Sequence, residues 1–333
     1  MMKMPIMRTA LPLVLSSVRM CAVDRGTPLV DVTHASTSIV DLLGPDEKRV
    51  VRSLGYEVCG SAGSGHYGCV LLAQQASGAG AAIKLAPHPS ETLVVEATIL
   101  GAMQGVPGFP EFFSFEQAAD GTGLDAIAME LLGPSLHDVW EKETASTYLP
   151  GPTVLRLGRG ILRCLRALHA AGYIHNDVKP NNVLLGAAGS GKEGEVHLID
   201  LGLATRVDGP SLGGGRGTPL FASVAAHTGA PMRPVHDVEA MIYCLAYLAS
   251  GSLPWERKPP RRGESMKRRM LTDGCTISTL LESCAADRLT EDVHAAETVE
   301  ALQAVWAEVV AGHDTSSGSV DYDACDAALR SGE

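Results

Sequence analysis

The chain is short of several things, and each shortage narrows what it can be. Aromatic residues make up only 5% of its 333 residues, so the core must rest on Leu, Val and Ala rather than on rings. No run of about eighteen apolar residues occurs, which argues against a transmembrane helix. The longest apolar candidate, Ala240–Ala249, has the length of a core helix. Eight cysteines lie scattered at 21, 59, 69, 164, 244, 275, 284 and 325, with no C-x-x-C and no His at metal spacing. They read as reduced thiols in an intracellular protein, cytoplasmic or nuclear. No N-x-S/T glycosylation acceptor is found. The formal charge of −11 speaks against nucleic-acid binding by the surface as a whole. With 45% hydrophobic and 20% charged residues, the composition is that of a soluble globular chain, read as a monomer with no membrane partner.

The charge is uneven. Residues 257–269 carry seven basic side chains against Glu264, a local +6 that leaves −17 elsewhere. The preferred reading of this stretch is a solvated loop. The sharper alternatives are a nuclear-import signal or a dock for an acidic or phosphorylated partner. Residues 1–23 hold Lys3, Arg8 and Arg19 and no acid. Two readings stay open there, a disordered extension and an organelle-targeting peptide.

Residues 1–49 are expected to be poorly structured. A strand-rich region then begins: Tyr56 and Val58 alternate into a glycine cluster, and Val70–Leu72 and Ala82–Leu85 read as short strands. Ser90 is placed to cap a helix running to about Met103. Further strands are expected near Phe112–Glu116 and Ala126–Glu130. After Leu132 the pattern turns helical. Val154, Leu157, Ile161, Leu165 and Leu168 recur at spacings of three and four, the mark of an amphipathic helix over Thr153–Ala171. Further helices are expected at Ser135–Lys142, Asp237–Ser250, Ser278–Cys284, Ala295–Val310 and Tyr322–Arg330. The organisation is an N-terminal extension (1–49), a small β-rich lobe (50–132) and a larger helical lobe (133–333).

What is present in unusual density is phosphate chemistry. Gly63-Ser64-Gly65-His66-Tyr67-Gly68-Cys69-Val70 fits G-x-G-x-x-G-x-V, whose glycines let backbone N–H groups approach phosphates. A strand-like run follows it rather than a helix, which favours a hairpin over a nucleotide and not a dinucleotide-binding turn. Lys84 sits inside an apolar strand, and Glu96 lies twelve residues on in the expected helix. Each alone reads as a solvent-facing charge. Together they read as the pair that holds an ammonium against the α- and β-phosphates. His175-Asn176-Asp177-Val178-Lys179-Pro180-Asn181-Asn182 is the most specific stretch, with Asp200-Leu201-Gly202 eighteen residues after Asn182. In-line transfer of a phosphoryl group needs this inventory: an Asp to accept the hydroxyl proton, a Lys for the moving charge, and an Asn and second Asp for metal.

These motifs resemble those of eukaryotic-type protein kinases, and more narrowly of the casein kinase I family. Met129–Leu136 is similar to that family's hinge, Gln104–Pro110 to its helix-to-strand turn, and Gly217-Thr218-Pro219-Leu220-Phe221-Ala222-Ser223 to its G-T-A-R-Y-A-S segment. The resemblance implies an α+β, two-lobed protein kinase fold, with ATP and Mg²⁺ between the lobes and proteins bearing Ser or Thr as substrates. It implies Asp177 as base, Lys179 at the γ-phosphate, a Lys84–Glu96 ion pair, and metal on Asn182 and Asp200. It also implies Gly63 to Val70 as the phosphate loop, Met129 as gatekeeper, and the backbone of Glu130 and Leu132 against adenine. Asp237 would brace the catalytic loop, and Leu100, His175 and Leu201 would join the lobes. Asn176 departs from the Arg usual before the catalytic Asp, the residue that pairs with an activation-loop phosphate. Arg206, Arg216 and Arg233 remain as anion contacts. A pseudokinase is the alternative; it would require loss of Lys84, Asp177, Asn182 or Asp200, and all four are present.

Overall fold

A computed structural model describes residues 43–65, 68–118, 123–143, 148–207, 209–210, 213–284 and 295–332. The transit-peptide and disordered-extension readings of residues 1–23 lie outside these, as do His66 and Tyr67. The extension is not unstructured up to residue 49, however. Helix α1 (Pro45–Ser53) begins with Pro at its first turn and Asp46 and Glu47 beside the positive helix end.

Five antiparallel strands follow: β1 (Glu57–Gly65), β2 (Gly68–Gln74), β3 (Gly80–Pro87), then β4 (Phe112–Glu116) and β5 (Leu124–Glu130), ordered β1-β2-β3-β5-β4. The two-residue period of a strand sorts β3 between two faces. Ile83 and Leu85 join Val51, Tyr56, Leu71 and Ala128 in a small core under α1. Lys84 points the other way, opposite Ile127 on β5. Gly68 has φ +133°, and a Cβ there would lie 2.0 Å from the Leu85 carbonyl oxygen, so only glycine lets β2 start against β3. Helix α2 (Glu91–Ala102) lies between β3 and β4, and Ser90 Oγ accepts from Leu93 N as its N-cap.

The larger lobe comprises α3 (Leu136–Glu143), α4 (Gly151–Ala170), the short strands β6 (Tyr173–Ile174), β7 (Val183–Leu185), β8 (Val196–Leu198) and β9 (Thr205–Arg206), and helices α5 (Val224–Thr228), α6 (Pro234–Ser250), α7 (Pro260–Thr272), α8 (Ile277–Cys284), α9 (Ala295–His313) and α10 (Tyr322–Ser331). Every residue of α6 from Val235 to Ser250 is buried, as a helix apolar on all sides must be. It starts three residues before the sequence pattern suggests, because Pro234 supplies the first turn. A large core runs from α2 through α4, α6 and α9. Among the described residues no helix is long and apolar enough to cross a membrane.

The reading of 257–269 as a solvated loop is wrong. Most of it is helix α7, and although Arg261, Arg262, Arg268 and Arg269 are exposed, Lys267 is 0% exposed. The charge density hid a helix whose buried stripe is only Gly263, Lys267 and Met270. Helix α5 also went unforeseen, being a single turn and a half capped by Ser223.

At the start of α6, His236 Nδ1 accepts from the Arg233 backbone N–H (2.9 Å). Burial pushes the His236 imidazolium down to about 4 from 6.5, with Glu239 and Asp237 pulling the other way and His313 and Arg233 assisting. The native chain therefore excludes a proton that the unfolded chain takes up, and stability falls as pH drops from 6.5 toward 4. Thermal melting should show a loss of about 2 kcal/mol by pH 5 from this group. His236→Asn, which retains an acceptor for Arg233, should flatten that slope.

Candidate active site

Three chain segments meet at one ammonium. Lys84 Nζ, on β3, lies 2.5 Å from Glu96 Oε2 on α2 and 2.6 Å from Asp200 Oδ1, just after β8. Lys84 and Glu96 are 9% and 2% exposed, so the solvent-facing reading of either fails. Burial alone would discharge Lys84, but the carboxylates of Glu96 and Asp200 more than offset it and hold the ammonium above its usual range. Burial would likewise raise Asp200, and Lys84 keeps it below the usual carboxylate range. Glu96 is pushed upward by its own burial against the pull of Lys84. Asp200 takes a left-handed backbone conformation (φ 62°), which Asp tolerates better than most residues and which turns the chain sharply into Leu201–Leu203. Leu201, His175 and Leu100 are all buried nearby in the core between α2 and the larger lobe.

The second cluster surrounds Asp177. Its Oδ1 accepts from Thr218 N (2.8 Å) and Thr218 Oγ1 (2.9 Å), and its Oδ2 from Lys179 Nζ (2.6 Å) and Asn182 Nδ2 (3.2 Å). Lys179 also donates to Thr218 Oγ1 (3.0 Å). Thr218 was visible only as part of a motif, and no role was read for it. Gly217 makes the approach feasible: it has φ +74°, and a Cβ there would stand 2.7 Å from Asn176 O.

The loop carrying Asp177 is held from beneath. Buried Asp237, on α6, accepts from the backbone N–H groups of His175 (2.6 Å) and Asn176 (2.9 Å) and pairs with His169 Nε2 (2.9 Å). Burial would raise its carboxyl, yet His169 and these donors hold it below the usual range. His175 Nε2 meets Ile199 O (3.0 Å). Asn176 sits at φ 68°, and its Nδ2 donates to Leu203 O (2.8 Å) and Thr205 Oγ1 (3.0 Å).

Cation-binding capacity is limited to a few oxygens. Among the described residues no group of three or more His, Cys, Asp or Glu side chains is placed to hold a metal ion. Asn182 spends its Nδ2 on Asp177 O (2.9 Å) and Oδ2, so its amide oxygen and the Asp200 carboxylate are the oxygens on offer. Such a set suits a hard cation that draws the rest of its shell from phosphate and water. At the connection between lobes, Met129 is 7% and Leu132 7% exposed. Lys192 bridges Glu130 Oε1 (2.8 Å) and Glu111 Oε1 (3.3 Å), a contact no motif announced. β1 and β2 bring Gly63, Ser64 and Gly65 opposite Val70, Cys69 and Gly68.

A family model described as the protein kinase domain matches residues 56–302. The chain belongs to the protein kinase family. Of its curated relatives, the rice (Oryza sativa subsp. japonica) protein named Casein kinase 1-like protein HD16 is 30% identical over 237 residues, covering 64% of this chain. The same match covers 32% of the rice protein, so the kinase spans about a third of that relative's length. The kinase is thus similar to that casein kinase 1-like protein, and it has the two-lobed α+β fold. Protein kinases as a family use ATP and Mg²⁺ and act on proteins.

Lys84→Met should lower phosphoryl transfer about 100-fold or more, the scale of losing one organised charge at a reaction centre. Radiolabel transfer from ATP measures this. Glu96→Gln, which leaves Lys84 on Asp200, should cost less.

Proposed function

We propose that the chain is a Ser/Thr protein kinase that moves the γ-phosphoryl group of ATP to protein hydroxyls. The observation that carries this reading is the Asp177 carboxylate, pinned by Lys179, Asn182 and Thr218 in a loop braced by Asp237. The Thr218 hydroxyl donates to Oδ1 of that carboxylate (2.9 Å), which supports reading Asp177 as a group able to receive an acceptor hydroxyl. Asp177 would orient that hydroxyl and take its proton, and Lys179 would steady the charge of the transferring group. Lys84, fixed by Glu96, would hold the α- and β-phosphates, under a loop of Gly63, Ser64, Gly65, His66, Tyr67, Gly68 and Val70.

The oxygens of Asn182 and Asp200 fit Mg²⁺, which when bound would neutralise phosphate charge. Met129 would line the adenine pocket, with the backbone of Glu130 and Leu132 bonding the base. In this reading the smaller lobe is 50–132 and the larger 133–333. Substrates are proteins with accessible Ser or Thr, and the setting is intracellular, in line with the free thiols at 59, 69, 164, 244, 275, 284 and 325. Nothing favours the pseudokinase alternative.

Asn176 bears on control. Where an Arg would wait for a phosphate, its Nδ2 is already spent on Leu203 O and Thr205 Oγ1. The catalytic loop is tied to β9 by neutral hydrogen bonds that no modification has to complete.

The purified chain, given Mg-ATP and a Ser/Thr peptide library, should label serine and threonine. Asp177→Ala should reduce transfer by about 1000-fold while melting stays near wild type; near-normal transfer by that variant would overturn the reading. Phosphatase pretreatment should leave activity within about twofold, and a large loss would show that a phosphate does the work assigned to Asn176.

A further inference from the structure

Lys267 is a fully buried ammonium that no step above uses. It lies on α7 with 0% exposure, and Nζ donates to Pro219 O (2.9 Å) and Ala222 O (2.6 Å). His227 Nε2 stands 3.3 Å away, and the rings of Tyr243 and Trp255 lie 5.0 and 5.2 Å from the charge. Burial and the neighbouring Lys267 charge keep His227 below its usual range, so its ring is neutral and can accept. The three N–H groups of Lys267 thus have three acceptors, two of them main-chain carbonyls of one short segment.

The same segment is held at two further points. Trp255 Nε1 donates to Leu220 O (2.8 Å), and the Val224 N–H donates to Glu239 Oε1 (2.9 Å). Glu239 also takes Tyr243 OH (2.9 Å) and His313 Nε2 (2.9 Å). Side chains of the helical lobe therefore hold the carbonyls of residues 219, 220 and 222. One residue earlier, Thr218 bonds the Asp177 carboxylate.

This arrangement is expensive. Burial pushes the Lys267 ammonium down to about 7, with Glu239 and Cys244 opposing that shift only in part. Among the described residues no carboxylate lies within ion-pair distance of it. A methionine of similar length would fill the space without a desolvation cost. What an apolar residue could not do is donate to Pro219 O and Ala222 O, and the buried Ala222 carbonyl would lose the bond that Lys267 gives it.

We propose that Lys267 is a positioning residue for the acceptor protein: by fixing Pro219–Ala222 from below, it shapes the surface on which the substrate chain rests beside Asp177. The proposal rests on the Ser/Thr kinase reading. It makes Lys267 a determinant of peptide binding that leaves nucleotide handling at Lys84, Asn182 and Asp200 alone. The seven-charge stretch of the sequence then divides in two, with its arginines facing solvent and one lysine serving the site from within.

The test is Lys267→Met, with Lys267→Arg as the conservative variant, each assayed with a phosphorylated peptide from the library screen. Lys267→Met should raise the peptide KM about tenfold or more, the scale of losing charged hydrogen bonds. Its KM for ATP and its peptide-independent ATP hydrolysis should stay within about twofold of wild type. Lys267→Arg should recover part of the peptide KM. Backbone hydrogen exchange over residues 217–224 should quicken in Lys267→Met, with the rest of the larger lobe unchanged. An unchanged peptide KM, or a parallel fall in ATP hydrolysis, would overturn the proposal.

If Lys267→Met does not fold, Trp255→Phe keeps a ring against the ammonium and removes only the bond to Leu220 O. It should shift the peptide KM in the same direction by a smaller factor, and no shift would count against the clamp. If the wild-type chain labels no peptide at all, the kinase reading fails by itself. Exchange over 217–224 then still decides whether Lys267 holds the segment.

Discussion

The structure turns on one ammonium shared by two carboxylates. Lys84 belongs to the sheet, Glu96 to the helix beside it, and Asp200 to the larger lobe, and the three meet within 2.6 Å contacts, with Lys84 and Glu96 buried and the Asp200 side chain still partly open to solvent. Each partner would be costly to bury alone, and each is tolerable because the other two are there. That mutual dependence makes the cluster a register for the whole molecule. If α2 rotated or the turn after β8 unwound, a buried charge would lose its counter-charge. The leucines that pack around it, Leu100 and Leu201, add apolar contact to the same junction.

A second layer of organisation is spent on main-chain atoms. Asp237 takes the N–H groups of His175 and Asn176, Asn176 takes the carbonyl of Leu203, and Lys267 and Trp255 take those of residues 219, 220 and 222. These stretches have no regular secondary structure to satisfy their backbone, so buried side chains must do so. The common effect is that Asp177, Thr218 and the segment after it are built rigidly on α6 and α7. Catalysis by positioning requires such rigidity, since small displacements of the reacting groups are costly.

Local sequence signals carried far in some places and not at all in others. Ser90 as a cap, the apolar stripe of α4, and the order of strands before helices were all legible, because capping and periodicity depend on near neighbours. The candidate site residues could be picked out as a set too, since their spacing along the chain is itself the signal, and the fold gathers Lys84, Glu96 and Asp200 in one cluster and Asp177, Lys179 and Asn182 in another. Lys267 was not. Seven basic residues within a short stretch look solvated, and nothing local marks one of them as turned inward. Thr218 and Lys192 were missed for a related reason: the partners that give them meaning, Asp177 and Glu130, lie far away in the chain.

From the amino-acid order alone follow the family, the two-lobed α+β architecture and the set of groups that phosphoryl transfer calls for. They follow because motif spacing and side-chain periodicity are properties of the chain itself. Which charges are enclosed and what each one touches came from packing. Glu96 on a helix could have faced water, and it is buried because Lys84 arrives from β3 to meet it. Asn176 could have been a weakened catalytic loop, and it is instead a link to Thr205. A buried charge is specified by its partners in space, and those come together only once the chain has folded.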